Sequence, residues 1–302
     1  MRYDIIIPVA SKDVDFLPKV LKYIRKNLIE AENVYIMTNA KCFEKLHKLG
    51  IDSFGAVLLD ENTMCLNISF GRIKNILLQH GVHIRIGWYL QQFLKMGFAQ
   101  TKYAKKYYLT WDSDTLPLSH IDFFDGDRPL FTKKKEYNEP YFDTMQKLIG
   151  IGKVADFSFI SEHMMFDKDI MCELIETIGQ SNVEGTDWIE KILNACENLE
   201  KPCFSEFETY GSFVWEKYPG LYGTQKLNTF RAAGIIKGRH IDDYRLERMS
   251  LDLDTASFEL FDEPLFPYNL SYYLDKWNRR WTQVKSRSFT EIIKFLYNKL
   301  RK

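Results

Sequence analysis

From Tyr3 to Val9 the chain reads YDIIIPV, a continuous apolar run of the kind expected of a strand covered on both faces. The period then changes. Phe16, Val20, Tyr23, Ile24 and Leu28 recur at helical spacing and predict a helix over 16–28. Val34–Thr38 predicts a second strand, Lys41–Leu49 a short helix, Ala56–Leu59 a third short strand and Gly87–Ala99 a further helix. Tyr107, Tyr108, Leu109, Thr110 and Trp111 are all good strand formers, and nothing among them invites a helix. Alternation of this kind argues for an α/β domain with a mostly parallel sheet flanked by helices, the first strand lying centrally.

The second half is less regular. Lys133–Tyr141 reads as a charged loop. Ala155–Phe159 and Met164–Phe166 read as short strands around Ser161, Glu162 and His163. Asp167–Ile178 and Trp188–Asn198 read as helices, and AAGIIKGRH at 232–240 as a strand. At the end, Phe289, Ile292, Ile293, Leu296, Tyr297 and Leu300 form one apolar face of a helix, with Lys294, Lys299, Arg301 and Lys302 off it. Trp277 and Trp281 precede this face among Arg279 and Arg280.

Composition changes this picture in three ways. First, 302 residues at 45% hydrophobic content suit one large domain, or one domain with an appended element. Second, Lys+Arg 41 balances Asp+Glu 41, so net charge argues for no nucleic-acid partner. The balance conceals an asymmetry: residues 276–302 carry nine Lys/Arg against the single acid Glu291, a net of +8 that leaves −8 on residues 1–275. A basic amphipathic helix with tryptophans suits an anionic membrane surface; the alternative is a helix packed on the domain with a solvated basic back. Third, Cys42, Cys65, Cys172, Cys196 and Cys203 make no C-x-x-C pair and no metal-ligand spacing, as expected of buried thiols in a reducing compartment. The first apolar run is too short for a signal peptide, and no stretch approaches ~18 apolar residues. The cytoplasm is the expected location, with the tail able to rest on the inner face of the cell membrane.

The candidate chemistry centres on WDSDTLP. The strand ends in Asp112 and Asp114, flanking Ser113, and side chains at i and i+2 of a strand share a face. Two adjacent carboxylates repel unless a cation lies between them, and hard ions such as Mn²⁺ or Mg²⁺ suit oxygen ligands. Most D-x-D triplets are solvated turns, so the aromatic strand before this one is what singles it out. In SEFETYG, Ser205 and Glu208 fit a capping box, with Glu208 bonding back to the Ser205 amide. Glu206, in the first turn without such a local duty, is the better candidate for a general base, although an exposed first-turn Glu also simply suits the helix dipole. His240, ending a strand-like run before Asp242 and Asp243, could complete a cation's coordination, with His163 its competitor. PVASKD follows the first strand; Pro8, Val9, Ser11 and Asp13 could hold a nucleoside there, or Asp13 could merely cap the next helix. No G-x-G-x-x-G and no Walker A sequence occurs.

Together, YDIIIPVASKD, GWYLQQFLKMGFA, YYLTWDSDTLP and FSEFETYG resemble bacterial GT-A-type glycosyltransferases, in particular the sugar transferases of capsule and lipopolysaccharide gene clusters. The resemblance covers about residues 1–245. It implies a GT-A-like catalytic domain at 1–250, with a nucleotide-sugar part over about 1–130 and an acceptor part over about 131–250, followed by a C-terminal extension at 251–302. It implies that Asp112, Ser113 and Asp114 meet a divalent cation and the diphosphate of a nucleotide sugar, a UDP-sugar first. Pro8, Val9, Ser11, Asp13 and Gln91 would then line the nucleotide site, His240 would join Asp112 and Asp114 at the metal, and Glu206 or Glu208 would act as the base of an inverting transfer to a glycan or lipid-linked saccharide. SEFE departs from the family's usual short acidic motif at this helix. Two rivals remain on the sequence: an Asp-nucleophile phosphohydrolase, because DSDTL partly matches a D-x-D-x-T/V signature, and a non-enzymatic protein that binds membrane surfaces through the basic tail.

Overall fold

The chain runs β1 (Tyr3–Pro8), α1 (Leu17–Asn27), β2 (Ala31–Thr38), α2 (Phe43–Lys48), β3 (Ala56–Asp60), α3 (Phe70–Gln79), α4 (Ile86–Gly97), β4 (Tyr107–Trp111) and β5 (Thr115–Pro117) in the computed structural model, which describes residues 1–285. It continues with β6 (Phe124–Asp125), β7 (Arg128–Thr132), α5 (Glu139–Ile149), β8 (His163–Asp167), α6 (Lys168–Gly179), α7 (Trp188–Ala195) and α8 (Glu206–Lys217). The last elements are β9 (Gly223–Gln225), β10 (Thr229–Phe230), α9 (Gly234–Lys237), α10 (Asp243–Met249), β11 (Thr255–Ser257) and α11 (Asn269–Lys285).

The alternation of the first half becomes a five-stranded sheet in the order β3-β2-β1-β4-β8, parallel except for β8, which runs antiparallel to β4. This is the expected α/β architecture, a mostly parallel sheet flanked by helices. β1 is central because its side chains are wanted on both faces. Ile6 packs with Tyr35, Phe93 and Tyr108 on the side covered by α4, while Ile5 and Ile7 pack with Val20, Ile24 and Leu109 on the side covered by α1. Burying each such isoleucine contributes about 1.5–3 kcal/mol, so a strand apolar at every position has no stable place at an edge.

Two small sheets lie beside the main one, β10-β11-β5 and β6-β7-β9. The first matters for the site. β11 pairs antiparallel with β5, Ser257 opposite Thr115, and the two hydroxyls are 2.7 Å apart. One residue on, the Phe258 amide donates to the Asp114 carbonyl across 2.9 Å. The chain near residue 258 is thereby sutured to the turn that follows β4.

Several local expectations are corrected. Residues 232–240 form no strand: a turn at 232–233 leads into α9 and a following 3₁₀ turn at Gly238–His240. Ile235 and Ile236 read as strand formers, but Gly234 is pressed against Asp262 and Gly238 turns the chain at φ +64°, which no strand allows. Ala155–Phe159 forms no strand beyond a single bridge between Ser158 and Lys134. The charged segment near 139 opens α5, whose start carries a proline and whose Phe142, Met145 and Leu148 face the core. α3 has no counterpart in the sequence reading, although Ser69 caps it by accepting from the Arg72 amide at 3.2 Å. The amphipathic face expected over 289–300 lies outside the described residues.

Candidate functional site

β1, β2 and β4 run parallel, so their carboxyl ends open on one side of the sheet, where ligands of open α/β sheets commonly bind. β8 runs the other way and brings its preceding residues to the same side. The Ala10–Asp13 turn, the Asp112–Asp114 turn and Ser161–Glu162 therefore converge, and the Asp112 amide donates to the Glu162 carbonyl across 2.9 Å.

Asp112 and Asp114 do not continue the strand. β4 ends at Trp111, and a turn closed by the Thr115 amide on the Asp112 carbonyl (3.2 Å) carries the two acids. Strand alternation does not govern them, and their carboxylates take different partners. Asp112 accepts from the Lys95 ammonium at 2.8 Å, and the same ammonium lies 3.0 Å from Glu206. Lys95 sits on the inner face of α4 with its side chain only 3% exposed. Burial disfavours its charge, but Asp112 and Glu206 outweigh burial, and its pKa is raised above the ordinary lysine value.

Asp114 answers to a different set of groups. Burial first, then the charges of Glu259, Asp112 and Asp13, push its carboxyl well above the ordinary range, with Arg239 opposing them. Glu259 is raised too, by burial first, and is hydrogen-bonded to Asp114. The suture at Phe258 is what delivers Glu259 there. Two carboxyl groups this close hold protons more tightly than free ones, and a hard cation could compete for the same oxygens. The donors are all oxygen, which suits Mg²⁺ or Mn²⁺ held by one or two carboxylates together with substrate phosphates. Arg239 pairs with the buried Asp13 at 2.8 Å. Asp13 does not cap α1, whose N-cap Phe16 makes no side-chain cap bond. Beside this group lies a cavity of ≈ 430 Å³ lined by Lys12, Phe16, Lys237, Arg239 and Glu259 among others.

On the Asp112 side, the buried Glu162 meets Lys134 at 3.2 Å and Arg231 at 3.8 Å. Arg231 also pairs with Glu136. Burial lowers the Arg231 pKa, but Glu136, Glu162 and Asp112 together raise it, so this guanidinium answers to the acids of the Asp112 side.

The remaining sequence candidates are placed as follows. Glu206 is buried rather than exposed, and its amide donates to Gln92 Oε1 at 3.2 Å. Ser205 caps α8 by accepting from the Glu208 amide at 3.3 Å, but the Glu208 carboxylate does not return to Ser205. It accepts instead from Ser158 Oγ at 2.8 Å and from the Phe159 amide at 3.1 Å, which fixes the loop before β8. His240 lies on the exposed 3₁₀ turn with Nε2 2.7 Å from Asp275, and among the described contacts it touches neither Asp112 nor Asp114. His163 is buried, stacks on Trp111 with ring centroids 5.0 Å apart, and pairs Nε2 with Thr132 Oγ1 at 3.0 Å. Burial, then Lys134, lowers its pKa to about 3, so it is neutral at physiological pH. Pro8 and Val9 are buried at the end of β1, Ser113 is buried, Gln91 is half-buried, and the exposed Ser11 accepts from Cys42 Sγ at 3.4 Å.

The profile of DUF6492, a family of unknown function, matches residues 7–243. The chain belongs to this family. The matched span takes in every member of the cluster except Glu259. No curated protein matches the sequence. Among solved structures the chain is similar to the galactosyltransferase LgtC in complex with donor and acceptor sugar analogues, at 14% identity over 84% of this chain and 86% of that one, TM-score 0.39. It is also similar to mouse xyloside xylosyltransferase 1, at 9% identity over 88% and 100%, TM-score 0.42. The glycosyltransferase GlyE of Streptococcus pneumoniae TIGR4 matches at 9% identity over 99% and 64%, TM-score 0.41. At these scores the site stands on its own geometry.

Six members of the cluster escaped the sequence reading: Lys95, Lys134, Glu162, Arg231, Arg239 and Glu259. Lys95 had a usable signal, a charge at helical spacing from Gln91 and Gln92 on an otherwise apolar helix. Glu162 lies between two apolar runs, which also marks a buried acid. Arg239 and Glu259 gave none, because only the pairing of β11 with β5 brings their part of the chain to Asp114.

Elsewhere, Glu30, His120 and Asp122 lie at the amino end of β1 and β2, their ligand atoms within 4.8 Å of one another. His120 Nε2 lies 3.7 Å from Glu30 and 3.2 Å from Asp122, so the ring bridges the two acids, which accounts for the group. Among the described residues no helix is long and apolar enough to cross a membrane.

Proposed function

We propose that the chain is a glycosyltransferase that moves a sugar from a nucleotide diphosphate sugar, a UDP-sugar first, to a hydroxyl of a glycan or lipid-linked saccharide of the capsule or lipopolysaccharide kind. The observation that carries the reading is the Asp114–Glu259 pair beside Asp112: an all-oxygen group next to a cavity of ≈ 430 Å³ whose wall includes Lys12, Lys237 and Arg239 as well as Asp15, Asp262 and Asp275. Asp112 and Asp114 would hold Mn²⁺ or Mg²⁺, with Glu259 as a further oxygen donor in place of His240. When bound, the ion supplies positive charge to the diphosphate leaving group.

This chain's own residues do the rest. Lys12, Lys237 and Arg239 line the cavity and offer their charge to the phosphates. Glu206 is the carboxylate on the Asp112 side and takes the acceptor's proton as the base of an inverting transfer. Lys95 positions Glu206 against Asp112 and balances both charges. Glu208, already accepting from Ser158 and Phe159, holds the loop instead. Ser11, Asp13 and Gln91 remain the candidates for the nucleoside side.

A thermal-shift series with uridine, guanosine and cytidine diphosphate sugars tests the reading. A rise in melting temperature that needs both Mn²⁺ and one nucleotide, and that Asp112→Asn removes, supports it by mass action. Phosphate release from a phosphorylated substrate, lost in Asp112→Asn and without any nucleotide-sugar turnover, would overturn it in favour of a phosphohydrolase. We further propose that the C-terminal surface rests on an anionic membrane. Phe261, Leu265, Phe266, Leu270, Leu274 and Trp277 are all more than half exposed, and the basic stretch 276–302 begins where this run of apolar residues ends.

A further inference from the structure

A second cavity, of ≈ 560 Å³, lies under the loop joining α7 to α8, with Val82, Pro140, Asn198, Cys196 and Cys203 in its wall. Cys196 forms the C-cap of α7, and Cys203 lies just before Ser205, the N-cap of α8. Both are free and buried, and their thiols are hydrogen-bonded to each other. The Tyr89 hydroxyl, from α4, completes the group 3.2 Å from Cys203 Sγ. Segment 197–202 turns back on itself through the Lys201 amide on the Asn198 carbonyl at 3.0 Å, and the cysteines at either side of it line the same cavity. Cys65 and Cys172 have no second thiol beside them in this way; they are described with a raised pKa from burial alone or from burial first.

We propose that Cys196 and Cys203 are a reversible redox modification site, at which a small hydroperoxide reaching the cavity oxidises the two thiols to a disulfide. Cys203 is the attacking sulfur. The hydrogen bond from Cys196 is the largest influence on it and, with Tyr89 and the nearby Arg85, holds its thiol below the ordinary range against the effect of burial, while Cys196 is pushed up. The Cys203 thiolate attacks one peroxide oxygen. The O–O bond breaks, the leaving oxygen departs as water or the corresponding alcohol after taking up a proton, and Cys203 becomes a sulfenic acid. The Cys196 sulfur then attacks Cys203 Sγ. The S–S bond forms, the S–O bond breaks, and the hydroxyl leaves as water with the Cys196 proton. Two thiols have given two electrons, and one peroxide has been reduced. A dithiol reductant reverses the change. The new bond would anchor the chain immediately before the Ser205 cap, from which Glu206 reaches Lys95.

The test needs no knowledge of substrate. The full chain is exposed to hydrogen peroxide at neutral pH, its free thiols are alkylated in denaturant, and its peptides are mapped by mass spectrometry. The expected result is a Cys196–Cys203 cross-link lighter by two hydrogens, with Cys42, Cys65 and Cys172 still alkylated, and full recovery of both thiols in dithiothreitol. In Cys196→Ser, dimedone should label Cys203. Unchanged alkylation of Cys196 and Cys203 after peroxide, or oxidation confined to the more exposed Cys42 and Cys172, would overturn the proposal. So would sulfinic acid at Cys203 without a cross-link. The wild-type map decides the matter even if a variant fails to fold.

Discussion

Lys95 donates to the Asp112 carboxylate across 2.8 Å from a side chain almost sealed from solvent, and its other carboxylate neighbour, Glu206, is nearly as buried. One ammonium thus compensates two acids, and α4 is tied both to the turn after β4 and to the start of α8. Lys95→Met should leave two carboxylates without their cation and destabilise the fold by about 3–5 kcal/mol. Adding Asp112→Asn and Glu206→Gln to it should recover part of that loss, because the three side chains act as a unit. The Lys95 pKa is raised on folding, so its contribution is fully present below the unfolded value of about 10.4 and is lost only as pH rises through the folded value. Urea titrations of wild type and Lys95→Met should therefore differ by the same amount at neutral and at mildly alkaline pH, and by less in acid, where the stranded carboxylates of the variant take up protons. A difference that vanished near neutrality would contradict this assignment.

The Asp114–Glu259 pair has the same sign in a window that opens in acid, because both carboxyls are raised on folding as well. A carboxyl whose pKa is raised on folding binds more protons in the native than in the unfolded state at pH values between its two pKa values. Stability is then lost as pH rises through that window, by at most about 1.4 kcal/mol per pH unit for each proton. Asp114→Asn should flatten this slope and raise the melting temperature near neutral pH, while matching wild type in acid. Mn²⁺ should have the same flattening effect on wild type, because it competes with protons for the two carboxyls, and no effect on Asp114→Asn. Equal slopes for both proteins without metal would remove the pair as a proton-holding site.

The sheet was legible because β1 is apolar at every position, a pattern that only a strand covered on both faces can use. The acidic turn was legible as the abrupt polar end of an aromatic strand. What stayed hidden depends on contacts distant in sequence. Lys95 became part of the site through Asp112 and Glu206, and Glu259 through the hydrogen bond from Phe258 to Asp114. AAGIIKGRH misled for a local reason: β-branched residues favour strands, but the left-handed turn at Gly238 and the close approach of Asp262 to Gly234 decide the backbone. Glu208 misled in another way. Its spacing from Ser205 fits a capping box, yet the buried Phe159 amide and Ser158 hydroxyl need an acceptor more than the helix start does.

That same contrast separates the two glutamates. Glu208→Gln keeps an oxygen for Ser158 and Phe159, so it should cost about 1 kcal/mol or less, whereas Glu208→Ala strands both donors and should cost about 1–3 kcal/mol. Neither should abolish sugar transfer at a temperature where the fold is intact. Glu206→Gln keeps the shape of the side chain but removes the base, and turnover should fall about 10²–10⁴-fold. Product formation from the nucleotide sugar that gives the thermal shift, measured for all three variants, decides between them. Full activity in Glu206→Gln would sink its role as base and turn attention to another group.

The C-terminal surface makes the last case. On α11, Leu270, Leu274, Trp277 and Trp281 recur at helical spacing and are 50–64% exposed, and the two indoles stack with centroids 6.0 Å apart. Nine of the basic residues of the chain lie between 276 and 302. Each basic residue near an anionic surface contributes about 1 kcal/mol, so three in contact would change affinity on the order of a hundredfold. Removing residues 276–302 should therefore release the protein from phosphatidylserine-containing vesicles in a sedimentation assay, with little change for neutral vesicles, while far-ultraviolet circular dichroism stays that of the folded chain. Added salt should weaken the intact protein's binding and leave the truncated form unaffected. Vesicle binding that survives the truncation would place the contact elsewhere on the surface.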